Sequence, residues 1–73
     1  MVVAIYKSNG GQPEQIRVHK GCMDGKLRIE AVSSSYAKGV GGVYDTKEEV
    51  EKFLVKRDRR GYTLVVENWN RRG

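Results

Sequence analysis

The chain has 73 residues, with 14 Lys and Arg against nine Asp and Glu, which gives a net charge of +5 at pH 7. This length predicts a single domain and excludes a deep substrate cavity, because a small chain has only one modest hydrophobic core. With 38% hydrophobic residues arranged in periodic runs, the chain is expected to fold rather than to be disordered. The positive charge favours a polyanionic partner, either nucleic acid or an acidic protein surface, although such a charge also serves solubility alone.

Cysteine content and hydropathy bound the cellular setting. Cys22 is the only cysteine, which excludes an internal disulfide and favours a reduced, cytoplasmic environment. The chain does not open with a basic segment followed by a long apolar one, as a secretory signal would. No apolar run approaches the ~18 residues of a membrane span. We therefore expect a cytoplasmic protein without a membrane partner, and leave a homodimer open.

The first 33 residues predict three strands, over residues 1–7, 14–20 and 26–33. In the second strand Ile16 and Val18 alternate with polar neighbours, as in an antiparallel strand with one buried face. The Asp24-Gly25 pair predicts the turn of a hairpin, because a glycine accepts a positive φ there. Period-two alternation then places four basic side chains on the outer face of this hairpin: Arg17, His19, Lys26 and Arg28.

Residues 33–42 are rich in Ser and Gly and are predicted as a loop, with a short further strand around Val40, Val43 and Tyr44 as the alternative. The run from Lys38 to Gly42 precedes a helix, as phosphate-binding loops do. It matches neither G-x-G-x-x-G nor a Walker sequence, so a plain turn is the favoured interpretation.

An amphipathic helix is predicted to begin at Asp45 or Thr46, where Thr46-x-x-Glu49 fits a capping box. Its apolar stripe is Val50, Phe53 and Leu54, and Gly61 is predicted to end it as the C′ glycine. Acidic residues lie early and basic residues lie late, which suits the helix dipole. The late basic residues are Lys56, Arg57, Arg59 and Arg60.

Residues 62–69 predict a last strand, and the uninterrupted run Leu64-Val65-Val66 indicates an interior position in the sheet, beside the first strand. The predicted fold class is thus α+β. A small antiparallel-type sheet of four or five strands carries one amphipathic helix on one face, in the order βββ(β)αβ. One domain spans residues 1–73, with residues 70–73 as a candidate disordered tail.

The side chains do not favour catalysis or metal binding. His19 and Cys22 have an H-x-x-C spacing, but the chain has no further His or Cys to complete a zinc site. With a single His on a strand surface, a Ser-His-Asp or Cys-His arrangement is not expected either. We therefore predict a non-enzymatic binding domain without a metal or cofactor.

Two short segments resemble known nucleic-acid-binding modules. The stretch with Asp45-Thr46 and Glu48-Glu49 at its start and Gly61-Tyr62 at its end resembles the helix of WGR domains, sheet-plus-helix modules that bind nucleic acid. Strands followed by Val43-Tyr44-Asp45-Thr46 are similar to AP2-type domains, which read DNA with the open face of a three-stranded sheet. In size and architecture the chain is also similar to phage-encoded inhibitors, including some anti-CRISPR proteins.

The leading functional hypothesis is therefore binding of DNA or RNA through a basic sheet face and a basic helix end. The tail adds an aromatic interleaved with arginines, a composition suited to bases and phosphates. The alternative is a phage-type inhibitor or adaptor that contacts an acidic protein surface of a larger, nucleic-acid-processing complex. The predicted binding residues are Arg17, His19, Lys26, Arg28, Lys56, Arg57, Arg59, Arg60, Trp69, Arg71 and Arg72.

Overall fold

A computed structural model describes residues 1–69. Its elements are β1 (Val2–Ser8), β2 (Gln15–Lys20), β3 (Leu27–Val32), β4 (Ala37–Tyr44), α1 (Lys47–Arg57) and β5 (Tyr62–Glu67). The strands form one antiparallel sheet in the order β4-β3-β2-β1-β5, and α1 packs on one of its faces. The predicted α+β class is confirmed, with the fifth strand present. The predictions for the tail, including Arg71 and Arg72, lie outside the described residues.

The β2–β3 hairpin follows the predicted alternation. Val18 lies opposite Ile29, and both side chains are buried under α1, whereas Arg17 and Glu30 lie opposite each other on the outer face. The turn that joins the strands contains Gly25 at φ +67°, in the left-handed region that glycine adopts without a steric penalty. The Asp24-Gly25 signal therefore identified this turn correctly.

The core lies between the inner face of the sheet and α1. β2 and β3 contribute alternate residues to it, β1 contributes Val3, Ala4 and Tyr6, and the helix contributes two residues from its apolar stripe. Phe53, the third stripe residue, packs against the edge of the core and contacts the ring of Tyr44 at a centroid distance of 5.9 Å. The buried core residues are Val3, Ala4, Tyr6, Ile16, Val18, Leu27, Ile29, Ala31, Val50 and Leu54.

Residues 37–44 form an edge strand, so the loop predicted over residues 33–42 was wrong from Ala37 onward, and the alternative of a further strand around Val40, Val43 and Tyr44 is confirmed. The strand pairs on one side only, with β3. Its pairing is interrupted by a bulge between the pairs Leu27–Tyr44 and Ile29–Val40. Gly42 lies in this bulge with φ +109°, which explains the glycine there.

The start of α1 is as predicted, because Thr46 is the N-cap and its Oγ1 accepts a hydrogen bond from the Glu49 amide at 3.3 Å. The predicted end was wrong. The helix stops at Arg57, and Asp58 is the extended C-cap residue. Gly61 has a positive φ but closes the following turn, in which its amide donates to the Asp58 carbonyl at 3.0 Å.

β5 lies beside β1 as predicted, but it is the outer strand of the sheet and not an interior one. Because β1 already pairs with β2, a strand added on its other side takes the edge. The apolar run also contains a register shift opposite Ile5 and Tyr6. Val65 and Val66 are 54% and 50% exposed, so Val66 does not belong to the core, whereas Leu64 packs against it.

Candidate nucleic-acid interface

The predicted outer-face cluster is largely paired with carboxylates. Arg28 Nη2 donates to Asp24 Oδ2 at 2.9 Å, and this bond holds the pKa of the Asp24 carboxyl below its ordinary value. His19 Nε2 lies 3.0 Å from Glu30 Oε1. Both pairs are exposed or half-buried, so each contributes little to stability.

The other two members of that cluster lie in different surroundings. Lys26 comes just before β3, and its ammonium bonds to the Asp45 carboxylate in the turn before α1, which raises the pKa of Lys26. Arg17 lies on β2 opposite Ile5 and Glu30 and takes part in no ion pair among residues 1–69. The outer face therefore retains one unpaired arginine from the four predicted residues.

Arg60 has a structural role in the turn between α1 and β5. Its Nε and Nη2 donate to the two oxygens of the Asp58 carboxylate, each at 3.1 Å, and its Nη1 donates to the Gly10 carbonyl at 3.0 Å. Asn9 returns a bond from its Nδ2 to the Arg60 carbonyl at 3.2 Å. A Cβ on Gly11 would clash with this Asp58–Arg60 pair, which explains the glycine. Arg60 thus connects the α1–β5 turn to the β1–β2 loop.

Trp69 is packed at the other end of the helix. Its ring lies 6.4 Å from that of Tyr6, and Lys47 Nζ lies 5.8 Å from the centroid of the indole ring. The indole N–H donates to Glu67 at 3.1 Å, and Lys47 Nζ lies 3.5 Å from the same carboxylate. These contacts connect β5 to the start of α1, and they engage both the indole ring of Trp69 and its N–H within the fold.

A concave surface lies where the end of α1 meets β4. It has a volume of about 590 Å³, within the ~300–1,000 Å³ of small-molecule sites. The chain reverses at Asp45, so α1 runs back along β4 and brings Arg57 to the first half of that strand. Tyr36 is 46% exposed at its rim. The lining residues are Ala31, Tyr36, Lys38, Gly39, Val40, Gly41 and Arg57.

A second concavity, of about 290 Å³, lies along the same junction nearer the start of the helix. Its floor is the Tyr44–Phe53 pair, and Lys52 and Lys56, one helical turn apart, lie beside Glu49. We refer to the two concavities together as the α1–β4 groove. Its lining contains four cationic side chains and one carboxylate. The cations are Lys38, Lys52, Lys56 and Arg57.

The groove contains only part of the predicted site. Lys56 and Arg57 line it, and the exposed Arg59 follows in the turn after the helix. Lys38, Lys52 and Tyr36 were not predicted as site residues. Tyr36 and Lys38 lie in the segment interpreted as a loop, and Lys52 precedes the basic residues at the end of the helix. Two signals could have identified them. Tyr36, Lys38 and Val40 alternate, and Lys52 and Lys56 have i,i+4 spacing on the helix.

Among residues 1–69, no group of three or more His, Cys, Asp and Glu side chains is arranged to hold a metal ion. The described part of the chain also contains no helix with the length and hydropathy needed to cross a bilayer. No protein-family model, curated protein or solved structure matches the chain.

Proposed function

We propose that this protein binds nucleic acid through the α1–β4 groove and is not an enzyme. The observation that supports this most directly is the charge of the groove. Four cations line it beside one carboxylate, and none of the four takes part in an ion pair among the described residues.

The contrast with the rest of the surface gives this arrangement its weight. Elsewhere the fold places a carboxylate beside His19, Lys26, Arg28, Lys47 and Arg60. The other cationic side chains among residues 1–69 that take part in no ion pair, Lys7, Arg17, Lys20 and Arg59, line neither concavity. Clustered like charges repel one another, and a bound polyanion relieves this repulsion while releasing counterions to the solvent. A phosphate bound in the groove would displace no ion-pair partner from these four cations.

The aromatic side chains support nucleic acid over a simple anion. Tyr36 is exposed at the rim, and the edges of Tyr44 and Phe53 line the second concavity. Interleaved cations and aromatic rings suit a ligand that combines phosphates with planar bases. Arg17 on the outer sheet face and Arg59 after the helix would extend the basic surface beyond the groove.

Fluorescence anisotropy with labelled DNA and RNA oligonucleotides, titrated at several salt concentrations between about 50 and 200 mM, tests the proposal. Affinity should fall steeply with salt. Replacing Lys56 or Arg57 by Gln should reduce the slope of log K against log salt by roughly 0.7–0.9 for each phosphate that the variant no longer neutralises. Arg28→Gln is the matched control, because Arg28 is already paired with Asp24, and it should leave the slope nearly unchanged. Absence of binding at low salt, or binding indifferent to salt, would refute the proposal.

A second candidate is contact with a protein of a larger complex, as an inhibitor or adaptor. A different surface favours it: Val65 and Val66 are exposed on β5, with Val66 paired to Ile5 on the open face of the sheet. Exposed apolar side chains grouped in this way are typical of protein contacts. Retention of one stoichiometric protein from a nuclease-treated lysate, lost in a Val65→Lys variant but not in Arg57→Gln, would favour this candidate.

A further inference from the structure

Three of the eight residues of β4 are glycines: Gly39, Gly41 and Gly42. Gly39 and Gly41 are exposed, neither has a positive φ, and a Cβ built on either would meet no atom within 4 Å. Gly42 differs, because it has φ +109° and a Cβ there would lie 2.8 Å from the Tyr44 hydroxyl oxygen. Gly41 and Gly42 lie in the bulge of β4, whereas Gly39 pairs with Glu30 outside it. A glycine in a strand marks either a bulge or a place where a ligand or another backbone comes close.

Both glycines line the concavity that also contains Tyr36, Lys38 and Arg57. The two cations come from different elements, one from β4 and one from the last residue of α1. The tyrosine ring is half exposed beside them. Bare edge-strand backbone, an accessible aromatic ring and two cations without a described carboxylate partner therefore meet at one place.

We propose that this concavity binds one unpaired nucleotide of a single-stranded nucleic acid. The base stacks on Tyr36, and the adjacent phosphates lie against Lys38 and Arg57. The nucleic-acid strand lies along the edge of β4, where Gly41 adds no side chain and the free backbone groups can hydrogen-bond to it. This inference rests on the proposed function and goes further, because it makes single-stranded nucleic acid the preferred ligand.

The structure favours a single strand over a duplex. In a duplex the bases are stacked on each other, so they present no free face to Tyr36. A helix that enters the major groove needs a neutral or basic outer surface, but α1 exposes Glu48 and Glu49 in its first turn. A second protein strand on β4 is also disfavoured, because the bulge at residues 41–43 interrupts the regular edge that such pairing needs.

Anisotropy titrations with a labelled single-stranded oligonucleotide and the matching duplex provide the test, using the whole 73-residue chain. The single strand should bind at least about tenfold more tightly, which corresponds to about 1.4 kcal/mol. Tyr36→Leu should remove most of this preference and weaken single-strand binding by about tenfold or more. Tyr36→Phe, which keeps the ring, should bind as the parent chain does.

Gly41→Val adds an independent variant, because the fold has room for the new side chain and a melting curve should confirm that it stays folded. It should weaken single-strand binding without changing the salt slope. Full affinity of both Tyr36→Leu and Gly41→Val, alongside salt-dependent binding of the parent chain, would overturn the nucleotide site and leave the proposed function standing. Failure of the parent chain to bind any oligonucleotide would overturn both. A parent dimer that Gly41→Val dissociates would instead assign the β4 edge to a second copy.

Discussion

Substitution of Val50 on α1 tests most directly whether the helix packs on the sheet. Val50 is fully buried, with 0% of its surface exposed, and it faces the inner side of the sheet in the core cluster. Substitution by Ala removes two methyl groups and leaves a cavity under the helix. The chain should remain helical at this position, because Ala has a higher helix propensity than Val.

The size of the effect follows from the burial. Two buried methyl groups correspond to about 1.6 kcal/mol of transfer free energy, and the unfilled cavity raises the total to about 2–3 kcal/mol. A domain of this size has only about 3–5 kcal/mol of net stability, so Val50→Ala should remove around half of it. The midpoint of thermal unfolding, followed by circular dichroism, should fall by about 10–20 °C.

The chain offers a matched control on the same helix. Val55 is 70% exposed, so Val55→Ala makes the same chemical change while leaving the core intact and should be neutral or slightly stabilising. The difference between the two variants isolates the burial of the helix face. Equal unfolding midpoints for Val50→Ala and Val55→Ala would refute the placement of α1 on the sheet.

Three further predictions concern polar groups. Thr46→Ala should lower the free energy of unfolding by about 1 kcal/mol in urea, because the N-cap is lost. Thr46→Ser keeps the cap hydroxyl and should keep the parent stability, so a similar loss in both variants would contradict the cap. The buried Tyr62 hydroxyl has no hydrogen-bond partner among residues 1–69, so Tyr62→Phe should be neutral or stabilising. By contrast, Tyr6→Phe removes a hydrogen bond to Glu51 and should destabilise the fold by about 1 kcal/mol. Because the Arg60 guanidinium lowers the pKa of Asp58, the carboxylate stabilises the fold above its ordinary pKa of 3.8 and loses this effect as pH falls through the lowered value. Asp58→Asn should therefore flatten the decline of stability below about pH 4, and an unchanged acid limb would argue against the Asp58–Arg60 pair.

Local sequence patterns predicted the structure correctly where a pattern is typical of a single kind of structure. The Thr46 cap, the Gly25 turn and the alternation of β2 and β3 each depend on neighbouring residues only, and each was predicted correctly. Local patterns led to a wrong prediction where one pattern fits two structures. The apolar run of β5 was interpreted as a covered strand, although it places Val65 and Val66 on an exposed edge.

The candidate site was harder to predict, because ion pairing depends on residues far apart in sequence. Lys26 and Asp45 are 19 residues apart, and the Arg60 side chain bonds to the Gly10 carbonyl 50 residues away. Charge counting treats paired and unpaired cations alike, so it could not separate Arg60 from Arg57. The groove itself requires β4 and α1 to run side by side, and the glycine-rich sequence of β4 concealed the strand.

The position of β5 beside β1 has a consequence for the order of folding events. The first four strands and the helix can each find their partner next to them in sequence, but β1 keeps an open edge until the last strand arrives. Closure of that edge joins residues such as Ser8 and Tyr62, more than fifty positions apart, and so carries the largest loop-closure entropy in the sheet. We expect this pairing to form late. A chain truncated before β5 would leave one edge of the apolar strand β1 unpaired and available for aggregation.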